Sequence, residues 1–91
     1  MFRVWGRIIK DNHLVRDHVA CIEAEGLRRT QKVYAALDEF CYEFDLSKPV
    51  WLKSNQEEFI CHARTRFTRD NFIDAIDFDY LDFYVIEEDD F

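Results

Sequence analysis

The chain opens on a strict alternation of bulk and polarity. Phe2, Val4, Gly6 and Ile8 share one side of an extended strand, and Arg3, Trp5, Arg7 and Ile9 share the other, because strand side chains point alternately to opposite faces. The Phe2 set suits a core. Asp11 and Asn12 follow with turn chemistry, since both side chains bond their own backbone and both tolerate left-handed dihedrals. The segment from Leu14 to Ile22 then returns as a second strand, so the first 22 residues predict a β-hairpin.

Beyond residue 26 the period changes. Leu27, Thr30, Tyr34, Leu37, Cys41 and Phe44 recur at alternating steps of three and four, and Val33 and Phe40 widen that stripe. The pattern predicts a helix with one face in a core. Pro49 forbids its continuation, which places the end near Phe44 or Asp45. Val50-Trp51-Leu52 is a short apolar link suited to a brief edge strand. Ser54 and Glu57 have capping-box spacing, which predicts a second helix running to about Ala63 and burying Phe59, Ile60 and Ala63. Thr68-Arg69-Asp70-Asn71 reads as another start signal, opening a short third helix with Phe72, Ile73 and Ile76 inward. The segment from Tyr80 to Ile86 is a strand, with Leu81, Phe83 and Val85 on one side and Tyr84 and Ile86 on the other. Apolar content on both sides suits a central place in a sheet.

The resulting order, β-β-α-(β)-α-α-β, predicts an α+β fold. A small, mainly antiparallel sheet, built from the N-terminal hairpin and the C-terminal strand, carries two to three helices packed on one face. Ninety-one residues make one domain, spanning 1–91, and no internal repeat or boundary interrupts it. Two glycines and one proline leave little room for long irregular linkers.

Three long segments resemble a family of short uncharacterised proteins from anaerobic Gram-positive bacteria. They are residues 2–12 (FRVWGRIIKDN), 41–52 (CYEFDLSKPVWL) and 65–89 (TRFTRDNFIDAIDFDYLDFYVIEED). The resemblance implies a compact cytoplasmic protein and brings with it no activity, cofactor or catalytic residue.

Charge narrows the function classes. The formal net charge is −7, and it is segregated: residues 1–32 carry +3, residues 33–73 carry −2 and residues 74–91 carry −8. An acidic domain repels phosphate backbones at long range, which argues against nucleic acid as a general partner. The closing Glu87-Glu88-Asp89-Asp90-Phe91 reads as a solvated tail or as an acidic docking segment anchored by Phe91. Arg28, Arg29 and Lys32 crowd the start of the first helix, where the helix dipole favours acids. They are expected either to face the acidic C-terminus or to form a small anion patch.

Candidate chemistry is sparse. Cys21, Cys41 and Cys61 are odd in number and at least 20 positions apart, which predicts free thiols in a reducing cytoplasm. Cys61 and His62 are adjacent, and His18 and Cys21 have opposite strand parity, so neither pair converges as structural zinc requires. No Walker-type or dinucleotide glycine pattern is present, and no catalytic residue, metal or cofactor is assigned. No segment approaches the ~20 apolar residues of a membrane span.

What remains is the outer face of the sheet. With Phe2, Val4, Ile8, Leu81, Phe83 and Val85 turned to the helices, the other side presents Arg3, Trp5, Arg7 and Tyr84, together with Ile9 and Ile86. Aromatics interleaved with arginine are enriched at binding hot spots and also form stacking platforms for single strands. Arg3, Trp5, Arg7 and Tyr84 are therefore the expected binding residues. The expected function is a small cytoplasmic protein-interaction or regulatory module acting by surface contact, its partner another protein or a second copy. The alternatives are a single-stranded nucleic-acid binder using the same face, or a small enzyme with an unrecognised cleft.

Overall fold

The computed structural model describes residues 1–23 and 25–88. Its elements are β1 (Phe2–Lys10), β2 (His13–Ile22), α1 (Arg29–Glu43), α2 (Lys53–His62), β3 (Arg64–Thr68), a single 3₁₀ turn at Arg69–Asn71, and β4 (Tyr80–Glu87). The four strands form one antiparallel sheet in the order β2-β1-β4-β3, with both helices on the same side. The fold is a small α+β domain.

The β1–β2 turn follows from its two residues. Asp11 and Asn12 have φ of 52° and 64°, the pair of positive values that a type I′ hairpin demands and that Asp and Asn tolerate. β1 then buries Phe2, Val4 and Ile8, while β4 buries Leu81, Phe83 and Val85. Apolar alternation alone places both strands with one face inward.

Gly6 is required by close approach. A Cβ there would lie 2.9 Å from three atoms of the Phe40 ring. That ring sits over the glycine between the two residues paired with it, edge-on to His18 at 6.0 Å and to Phe83 at 5.7 Å. Phe40 is fully buried, so it has nowhere to retreat. Gly6→Ala is expected to destabilise the domain by about 1–3 kcal/mol through overpacking. Chemical denaturation would read this directly; an unchanged midpoint would mean that α1 does not press on β1 at this point.

Phe83 is the centre of the core. Its ring meets Phe40, Trp51, Phe59 and Phe67 at centroid distances between 5.7 and 6.1 Å, mostly edge to face. Trp51 arrives from the link after α1. That link is not a strand: the ring wedges among Phe59, Phe67 and Phe83 while the backbone stays irregular.

The structure departs from the sequence reading between residues 53 and 76. The amide of Leu52 donates to Asn55 Oδ1 at 3.0 Å, so Leu52 rather than Ser54 caps α2, and Ile60 points to solvent at 83% exposure while Phe59 is buried. Ala63 takes a left-handed conformation (φ 53°), its N–H closes on Phe59 O, and the chain leaves α2 directly into β3, a strand that the hydrophobic pattern does not predict. In place of a third helix there is one 3₁₀ turn, with Phe72 buried, Ile76 half-buried and Ile73 88% exposed. Asn71 explains the stop. It is buried, accepts from the Thr68 amide at 2.9 Å, and donates to Val50 O and to Asn55 Oδ1 at 2.7 Å. Asn55 in turn donates to Thr65 Oγ1 and Arg66 O. This buried amide pair ties the link, α2, β3 and the turn together with its polar atoms satisfied.

The stripe on α1 is also rotated from its expected line. Val33, Ala36, Leu37, Phe40 and Cys41 are buried with Lys32, whereas Thr30 and Tyr34 are exposed. Lys32 lies with its ammonium 6.0 Å from the Phe2 ring centre, an apolar stem covering core surface.

Candidate functional site

The side of the sheet away from the helices carries only its own side chains among the described residues. Strand register arranges them in four rows, read from β2 through β1 and β4 to β3. The first is Cys21, Arg3 and Glu87; the second Val19, Trp5, Tyr84 and Arg64. The third is Asp17, Arg7, Asp82 and Arg66; the fourth Leu14, Ile9, Tyr80 and Thr68. An alternating charge row is thus flanked by two rows rich in apolar and aromatic groups.

All four residues singled out from the sequence lie on this face. Trp5 and Tyr84 are direct cross-strand neighbours, both half-buried. Trp5 Nε1 donates to Asp17 at 3.0 Å, and the Arg7 guanidinium lies 4.4 Å from the indole centre. Arg3 is exposed and reaches Glu87 at 3.6 Å. Sequence reasoning missed Arg64, Arg66, Tyr80, Asp17 and Asp82. Arg64 stacks over Tyr84 at 5.0 Å and Arg66 over Tyr80 at 4.6 Å, so three rings of the face each carry a guanidinium. The signal for the first two was present in Arg64-Thr65-Arg66-Phe67, a short alternation hidden by its place after a helix.

Asp82 locks the lattice. It stands on the open side, yet its relative exposure is 0%. Arg64 meets it in a bidentate pair, Nε to Oδ1 at 3.0 Å and a terminal nitrogen to Oδ2 at 2.6 Å, and Arg7 bonds Oδ2 from the other side. Burial pushes the carboxyl up, but hydrogen bonds from Arg64 and Arg7, and their charges, hold it below its ordinary value. The same bond raises Arg64. Both arginines are held in place by a carboxylate beneath and a ring beside them, so the surface is rigid before it meets anything.

The other candidate sites do not assemble into one. Arg29 pairs with Glu88 at 2.6 Å and lies over Phe59 at 5.1 Å, which brings the basic start of α1 to the acidic C-terminal segment. Glu87 ends β4, while Asp89, Asp90 and Phe91 lie outside the described residues. Cys21, Cys41 and Cys61 are free; burial first, then the charge of Asp38, pushes the Cys41 thiol up against the opposing pull of Lys48. Among the described residues no cluster of three His, Cys, Asp or Glu could hold a metal, and no helix is long and apolar enough to cross a membrane. An open cleft of about 570 Å³ lies beside Thr68, Asp70, Asp77 and Asp79. Asp82, Arg64 and Cys41 lie outside it.

Comparison with known proteins adds no relative: no family model, no curated protein and no solved structure matches the chain.

Proposed function

We propose that this chain is a small cytoplasmic protein-interaction or regulatory module that works by contact through the open sheet face. One observation carries the reading: Trp5, Tyr80 and Tyr84 stand beside Arg3, Arg7, Arg64 and Arg66 on a face that no described element covers. Trp, Tyr and Arg are the residues that dominate contact energies between proteins. Their stacking and the Asp82 bonds lower the ordering cost of binding. The three free thiols suit a reducing compartment.

The same residue types would suit single-stranded nucleic acid, but two features weigh against it. Each ring is already stacked by a guanidinium that a base would have to displace. The chain as a whole carries −7, which opposes phosphate.

The test is the double substitution Trp5→Ser with Tyr84→Ser. The variant is expected to keep a cooperative melt, because both side chains are half-exposed, and to lose the protein contacts that the parent makes in light scattering and in quantitative affinity capture. Unfolding would show that the rings belong to the core. Retention of every parental contact would move the interaction surface elsewhere. Tight binding of a short single-stranded oligonucleotide, read by fluorescence anisotropy, would replace this reading with the nucleic-acid one.

A further inference from the structure

The open face has a symmetry that follows from its register. A line drawn along the strands between β1 and β4 divides each full row into two halves. Across that line Arg7 mirrors Asp82, and Asp17 mirrors Arg66. In the first row Arg3 mirrors Glu87. Every pair of charged residues so related is of opposite sign. The uncharged central positions match as well: Trp5 mirrors Tyr84, and Ile9 mirrors Tyr80.

A two-fold rotation about an axis parallel to that line carries the face onto a second copy and exchanges the two halves. Asp17 then lies opposite Arg66 of the second copy, and Arg3 opposite Glu87 of the second copy. Trp5 faces Tyr84 of the second copy, while Asp82 stays enclosed by its own Arg7 and Arg64. Each contact occurs twice, as an isologous interface requires. Because the axis runs along the strands, the two sheets stay aligned, in the arrangement that twisted sheets adopt when they pack about 10 Å apart with strands within about 30°. The two central pairs, Arg7 with Asp82 and Arg3 with Glu87, already bond within one copy. Asp17 and Arg66 stand on opposite edges of the sheet, too far apart to pair with each other, and meet an opposite charge when a second copy is placed across the two-fold.

From this we infer that the occupant of the open face is a second copy of the chain, giving a two-fold dimer of sheets packed face to face. The inference rests on the proposed contact role of that face and names its partner. Strand spacing and rise give the face a footprint of about 500 Å². That lies toward the small end of specific interfaces, so the dimer is reversible and depends on concentration.

Charge reversal tests the register. Asp17 and Arg66 are both exposed on the two edge strands, away from the core. Asp17→Arg sets a positive charge against Arg66 of the second copy, and Arg66→Asp sets a negative charge against Asp17. Each places two like-charge contacts in every dimer. Sedimentation velocity across a wide concentration range is expected to show a monomer–dimer equilibrium for the parent. Either single variant should raise the dissociation constant at least about tenfold. An equimolar mixture of the two should recover dimer as a heterodimer, because a positive and a negative charge then face each other at both ends of the row.

If Asp17→Arg fails to melt cooperatively, Arg3→Glu and Glu87→Arg provide the equivalent pair in the first row. A parent that stays monomeric at every concentration overturns the second copy as occupant. So does a dimer indifferent to single reversals, or a mixture that recovers nothing. None of these three results touches the wider contact role, which the Trp5 and Tyr84 substitutions and the oligonucleotide titration decide separately.

Discussion

Replacing Phe83 by alanine is expected to remove a large part of the stability of this domain. The ring is fully buried and meets Phe40, Trp51, Phe59 and Phe67, so it joins both helices, β3, β4 and the link to one cluster. Truncating a buried Phe costs about 3–5 kcal/mol, because the transfer energy of the ring is lost and the cavity collapses only in part. A domain of this length has about 5–14 kcal/mol in total. In a domain this small each kcal/mol shifts Tm by about 4–8 °C, so the variant should melt at least about 12 °C below the parent or fail to fold near body temperature. Ile60→Ala is the matched control. Ile60 is apolar and helical but 83% exposed, and its loss should stay within about 0.5 kcal/mol. Thermal melts of the two variants side by side distinguish a core built around Phe83 from one in which the helix stripe read from the sequence is buried.

The second large effect is electrostatic and appears in acid. Asp82→Asn removes the carboxylate that holds Arg7 and Arg64. Breaking a fully buried pair costs about 3–5 kcal/mol. The side chains of Arg7 and Arg64 retain 25% and 37% exposure, so the cost should fall at or below the low end of that range. The pH dependence separates this from a packing loss. The folded carboxyl titrates below its unfolded value of about 3.9. Its contribution is therefore fully present above that value and is lost as pH falls through the lower, folded one. The parent should lose stability steeply below about pH 4, and the Asn variant should lose less there while starting lower at pH 7. Melting curves from neutral pH to about pH 2 would show the two lines converging. Parallel lines would mean that Asp82 contributes nothing through its charge.

Much of this molecule follows from local pattern alone. The Asp11-Asn12 turn needs only the tolerance of those two residues for positive φ. Pro49 bars α1 from running on, although the stop itself is made earlier, by Asp45 at φ 55° with the Leu46 N–H donating to Cys41 O. The separation of Trp5 from Val4, and of Tyr84 from Phe83, is a matter of parity, so the face that carries the candidate residues could be read before any pairing was known. The α+β class with helices on one side follows from the same alternation and from one amphipathic segment.

Other features depend on what each residue meets. Ile60 and Ile73 are apolar at helical spacing, yet solvent takes them, because the amides of Asn55 and Asn71 decide where α2 begins and where the next turn ends. β3 is five residues long, too short for its alternation to stand out beside a helix, and it exists because β4 offers it an edge. Asp82 looks like a solvated acid in the chain and is the most enclosed charge in the fold, because β1 and β3 bring Arg7 and Arg64 to it from opposite sides. The opposition of Asp17 to Arg66 about the midline lies in no segment of the sequence. Parity is a property of one strand, but order and register are properties of four strands together, and only non-local pairing sets which charge stands across from which.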